Sequence, residues 1–134
     1  MAGVRRFEDL MAWKLTEELR DCVFDVTGRG LAARDPDYRT QIRRASASAP
    51  DNIAEGFGRF RPKEFARFVE IARGSINETM SQLHRGRKCG YLSQQQYEAA
   101  ISLAKQALAA TAGLQRYLLS CAAPKPPSPK RGPR

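Results

Sequence analysis

Ten cationic side chains and three aromatics define the chemistry this chain is best equipped to do. Arg39, Arg43 and Arg44 lie about one turn apart in a helical stretch. Arg59, Arg61, Lys63 and Arg67 surround the next turn, and Arg85, Arg87 and Lys88 close the stretch that follows. Guanidinium groups suit phosphate because they are planar, always charged and fork-shaped. Phe57, Phe60 and Tyr91 are interleaved with these cations and can stack on unpaired bases. The constellation points to nucleic acid. One other reading uses the same residues: a solvated basic surface with arginines that bridge subunits. Arg85, Arg87 and Lys88 also favour a helix C-terminus electrostatically.

Catalytic and metal chemistry finds no comparable support. A di-iron bundle site needs two Glu-x-x-His motifs, but His84 is the one histidine and Ser81 stands three residues before it. Cys89 follows His84 by five residues on a different helical face, with no oxyanion-hole motif beside it. Gly56-Phe57-Gly58 follows a helix rather than a strand and lacks a Gly-Lys-Ser/Thr continuation, so it reads as helix termination and not as a phosphate loop. Asp51, Asn52 and Glu55 read as pairing partners for Arg43, Arg44 or Arg59, since unpaired buried carboxylates are costly. Cys22, Cys89 and Cys121 are odd in number and form no Cys-x-x-Cys pair, which fits reduced thiols. No catalytic residue, cofactor or metal is assigned, and an enzyme would need an activity that depends on Glu55.

The 134 residues fit one domain, and 42% hydrophobic composition fits a folded globule. The net charge is +9, unevenly spread. Phe7 to Thr27 holds two basic residues against six acidic ones, whereas Arg39 to Lys88 holds eleven against five. Residues 123–134 add Lys125, Lys130, Arg131 and Arg134 with no acid. This asymmetry suits a polyanionic partner, or oppositely charged faces meeting in an oligomer. No apolar run approaches the roughly 20 residues that span a bilayer. Met1 to Phe7 lacks the apolar core of a secretory signal. The expected location is the cytoplasm, with no membrane contact.

Four amphipathic helices must position these residues. The first spans about Phe7 to Val26, with Phe7, Leu10, Met11, Leu15, Leu19, Cys22, Val23 and Val26 on one face. Gly28-Arg29-Gly30 stops it. The second begins with Asp35 as N-cap and Pro36 in the first turn. Ile42, Ala45, Ala49, Ile53 and Phe57 make its stripe, and Pro50 should kink it. Its stretch from Ser46 to Arg59 carries almost no large side chains, which lets a neighbouring backbone come close and suggests packing and assembly. Gly56 and Gly58 end it. The third starts at Pro62 and buries Phe65, Phe68, Ala72, Ile76, Thr79 and Leu83; Gly86 loosens it and Gly90 ends it. Ser93 with Gln96 forms a capping-box pattern for the fourth, whose seam is Tyr97, Ile101, Ala104, Leu108, Thr111, Leu114 and Leu118. No useful β alternation appears. The expected fold is all-α: an antiparallel, up-down-up-down four-helix bundle over residues 1–122 with a kinked second helix. Residues 123–134 are expected to form a disordered, Pro-rich basic tail.

Several ordered motifs resemble those of a known family. They are Phe7-Glu8-Asp9-Leu10 with Trp13-Lys14; Gln41-Ile42-Arg43-Arg44-Ala45; Pro50-Asp51-Asn52-Ile53-Ala54-Glu55-Gly56-Phe57-Gly58-Arg59; Lys63-Glu64-Phe65-Ala66-Arg67-Phe68; Ile71-Ala72-Arg73-Gly74-Ser75; and Gly90-Tyr91-Leu92. Together they resemble the bacterial four-helix-bundle proteins encoded within intervening sequences of 23S rRNA genes, over about residues 7 to 119. The resemblance implies a ring-like homopentamer. It also implies kinship with the accessory proteins of diversity-generating retroelements, basic pentamers that engage a reverse transcriptase and RNA. Two departures stand out: the basic tail lies outside the shared motifs, and Ser46, Ser48 and Asp51 make the second helix more polar than the family pattern. The resulting expectation is a non-enzymatic oligomer that binds RNA or another nucleic acid and possesses, by resemblance, a reverse transcriptase as a further partner. The alternative is a protein-interaction scaffold with no direct nucleic-acid contact.

Overall fold

The computed structural model describes residues 3–122, and the basic tail at residues 123–134 lies outside them. A one-turn 3-10 helix at Phe7–Asp9 precedes α1 (Met11–Thr27), a short α2 (Gly30–Ala33), α3 (Pro36–Phe57), α4 (Pro62–Lys88) and α5 (Gln94–Ala122). The described residues are helical and contain no strand, and together they form a helical bundle. The first helix is shorter than its sequence periodicity suggests. Leu10 is extended (φ −75°, ψ 128°) and separates the opening turn from α1. Met11, expected on the buried face, is exposed, and Ala12 and Thr16 are buried in the first turns of α1.

Cross-helix contacts set the register. Tyr38 meets Gln82, Arg44 meets Glu78, and Ser48 meets Ser75. Numbers rising along α3 therefore fall along α4, and the two helices are antiparallel. His84 with Tyr97 and Arg73 with Gln115 give the same relation for α4 and α5. α1 packs on α3 and α5, and α4 packs on the same pair. The core between them includes Leu19, Val23, Ile42, Ile53, Val69, Ile76, Leu83, Ile101 and Ala104.

Four threonines are fully buried within this apolar seam. Thr16, Thr27, Thr79 and Thr111 donate their hydroxyls to the carbonyls of Ala12, Val23, Ser75 and Ala107, four residues earlier, at 2.6–2.8 Å. Each polar group is thus satisfied within its own helix and tolerates burial. Thr79 and Thr111 stand in the expected stripes. Thr16 and Thr27 were not anticipated, because their hydroxyls mask a methyl that packs like valine.

The small-residue face of α3 is consumed inside the chain. Ala45, Ser46, Ala49, Pro50 and Gly56 are buried. A Cβ placed on Gly56 would stand 2.7 Å from both Phe65 and Phe68, so α4 approaches the α3 backbone directly there. Ser46 is fully buried and donates to the Arg43 carbonyl at 3.2 Å, while the Ser75 hydroxyl donates to Ser48 at 2.8 Å. The polar departures in α3 are therefore matched within the protomer, whereas Asp51 is exposed. Pro50 lies inside α3 without ending it.

Caps fix the helix ends. The Asp35 carboxylate accepts from the Tyr38 amide at 3.1 Å, with Pro36 in the first turn, as the sequence indicates. Ser93 and Gln96 form the reciprocal capping box: each backbone amide donates to the other's side chain, at 2.9 and 3.0 Å. α4 closes on Gly90 at φ 75°, where the Tyr91 amide donates to the Gly86 carbonyl and the Gly90 amide to Arg87, a Schellman arrangement. α3 ends differently. Gly58 keeps φ −72°, and the left-handed residue that turns the chain is Phe60, at φ 63°.

Candidate nucleic-acid interface

The ten cations fall at two ends of the α3–α4 pair. Arg39, Arg43 and Arg44 begin α3, beside Arg85, Arg87 and Lys88 at the end of α4. Arg59, Arg61, Lys63 and Arg67 surround the opposite end, where α3 passes into α4. Arg39 and Phe57 are separated by about 27 Å of α3 at 1.5 Å per residue.

The cations differ in what already occupies them. Arg43 turns toward the end of α1. Its Nε donates to the Thr27 hydroxyl and a terminal nitrogen donates to the Phe24 carbonyl, both at 3.0 Å, with the guanidinium 4.6 Å above the Phe24 ring. Burial, and then the nearby Arg39 and Arg20, pull its pKa below the usual arginine value. Arg43 thereby ties the last turn of α1 to α3 and holds the Phe24 carbonyl, which the helix end leaves free. Arg44 pairs with Glu78 at 3.2 Å. Arg59 pairs with Glu55 at 3.0 Å and Glu64 at 3.7 Å, and its guanidinium lies 5.2 Å from the Phe68 ring. Glu55 is thus a partner of Arg59, as its spacing suggests, and Asn52 donates to Ser48 instead. Arg85 donates to Gln82, and Arg87 to Gln94 and the Leu92 carbonyl.

Arg39, Arg61, Lys63, Arg67 and Lys88 form no ion pair among the described residues. Arg61, Lys63 and Arg67 border one hollow with Glu64, whose carboxylate faces Arg59. Arg39 borders another with Arg43, Arg44 and Phe24.

Two of the three aromatics are engaged. Phe57 meets Phe65 edge-on at 6.1 Å. Tyr91 donates its hydroxyl to Asp35 at 2.6 Å and packs its ring 4.9 Å from Tyr38. Phe60 is 91% exposed. Arg5 and Tyr117 join Phe60 around a groove of about 380 Å³. Neither carried a sequence signal for this site, because only the fold brings the chain's start and the end of α5 to the α3–α4 turn. His84 contacts the Tyr97 hydroxyl at 2.8 Å, and the three cysteines are free. No group of His, Cys, Asp or Glu able to hold a metal occurs among the described residues. Among the same residues, no helix is long and apolar enough to cross a membrane.

The fold and this surface define a small, basic, all-helical bundle protein. The 23S rRNA-intervening sequence protein family matches residues 8–113, and the chain belongs to that family. No curated protein matches it.

Proposed function

We propose that the chain is a non-enzymatic, cytoplasmic RNA-binding protein, built as an up-down-up-down four-helix bundle and assembled as a ring-like homopentamer. The observation carrying this reading is the set of exposed cations without acidic partners at both ends of the α3–α4 pair. Arginine and lysine in that state are ready to displace counterions from phosphate. Repetition around a ring would convert modest single-site affinity into avidity. A reverse transcriptase is a further partner consistent with the proposed kinship to retroelement accessory proteins.

Replacing Arg61, Lys63 and Arg67 together by glutamine tests the reading. Fluorescence anisotropy with single-stranded RNA should show at least a tenfold loss of affinity at low salt. Arg43→Met should reduce stability, since its donors are committed to α1. An absence of RNA binding by the natural chain at low salt would refute the proposal.

The scaffold reading draws on one observation. Glu18 on the acid-rich α1 is exposed and forms no ion pair among the described residues, so the first helix of one copy can meet the basic ends of another. Nuclease-insensitive retrieval of a single protein partner, with no RNA affinity, would favour it.

A further inference from the structure

Phe60 combines two unfavourable features, of which only the first, the turn from α3 into α4, serves the fold itself. It is a bulky residue in left-handed backbone, φ 63°, and its ring is 91% exposed. Non-glycine residues avoid that region, and such outliers gather at ligand-binding sites. The adjacent groove is lined by Phe57, Phe65, Tyr117, Arg5 and Arg61, among others. Its volume of about 380 Å³ suits one small planar group. Arg61 borders this groove and also the cationic hollow with Lys63 and Arg67, so the aromatic and cationic surfaces are continuous.

An occupant must present a flat apolar face next to negative charge. We infer that Phe60 is the stacking platform for one unpaired base of single-stranded RNA, with Arg61, Lys63 and Arg67 holding the flanking phosphates. This rests on the RNA-binding reading and narrows it to unpaired segments: loops, bulges or ends. A duplex keeps its bases stacked on one another and offers none to Phe60. An apolar protein partner covering the ring would bury Arg5, Arg61, Lys63 and Arg67 without counter-charge, and none of these has an ion-pair partner among the described residues. A strand supplies the phosphates those cations require.

The test uses the full chain with a fluorescein-labelled single-stranded RNA of 20 nucleotides and the duplex of the same sequence, probe lengths of about one to several binding footprints. The natural chain should prefer the single strand. Phe60→Ala should lose about five- to a hundredfold of single-strand affinity, with an unchanged salt slope and little change on duplex. Phe60→Trp should retain binding. Phe60→Gly should lose binding as Phe60→Ala does, yet gain thermal stability, because glycine accepts the positive φ. Equal affinities of Phe60→Ala and the natural chain for the single strand would overturn the inference while leaving RNA binding intact. Failure of the natural chain to bind either RNA would sink the broader reading and this one with it. A fall in particle mass for Phe60→Ala by light scattering, with single-strand affinity per chain unchanged, would reassign Phe60 to contact between copies and also overturn it.

Discussion

Asp35 shows how one side chain organises a corner of the bundle. Its carboxylate caps α3 through the Tyr38 amide and accepts from the Tyr91 hydroxyl. The Tyr91 hydrogen bond, then the Tyr38 amide, hold its pKa below the usual carboxylate value. Tyr38 lies above, with its hydroxyl donating to the Gln82 carbonyl, and burial pushes its phenol up to about 12. A raised folded pKa contributes stability that is complete below the unfolded value near 10 and is lost as pH rises through 12. Urea midpoints at pH 9 and pH 11 should therefore drop more for the natural chain than for Tyr38→Phe, the pH values bracketing the ordinary tyrosine pKa of about 10. Equal drops would show that Tyr38 is not the group titrating. The cap was legible in Asp35-Pro36. The reach of Tyr91 across the fold was not, since a hydrogen bond between residues 35 and 91 leaves no local pattern.

Glycines in the helices show where sequence reading holds and where tertiary packing takes over. Gly90 ends α4 with positive φ, as its place after a basic last turn suggests. Gly86, read as loosening α4, instead makes room for Tyr38: a Cβ there would land on the Tyr38 hydroxyl and stand 2.9 Å from its Cζ. The ring is held by Gln82 and Tyr91, so it has little freedom to yield. Gly86→Ala should cost about 1–3 kcal/mol by overpacking. Gly74→Ala is the matched control, because a Cβ at Gly74 meets nothing within 4 Å and lies mid-helix. That change should stabilise by roughly 0.5–1 kcal/mol. Thermal melts giving the same sign for both would contradict the packing described for α3 and α4. The helix periods, the caps at Asp35 and Ser93, and most core positions were readable because they depend on neighbours three and four residues away. The extended Leu10, the short α2 and the left-handed Phe60 were not, because each depends on where the next helix must dock.

Across the whole molecule, charge is divided between two basic ends and an acid-rich α1. The sequence revealed which residues carry the positive charge, but not that some are already occupied. Arg43 binds the end of α1, and Arg44 and Arg59 face glutamates. Nor did it show that the cations fall into two groups, roughly 20–27 Å apart along α3. The family assignment is consistent with the helical fold and leaves the ligand to be established by binding. The most direct test is a salt titration of affinity for single-stranded RNA. With Arg61, Lys63 and Arg67 each neutralising a phosphate, log K should fall linearly with log salt at a slope of about −2 or steeper. A slope near zero, or no binding at low salt, would contradict the account.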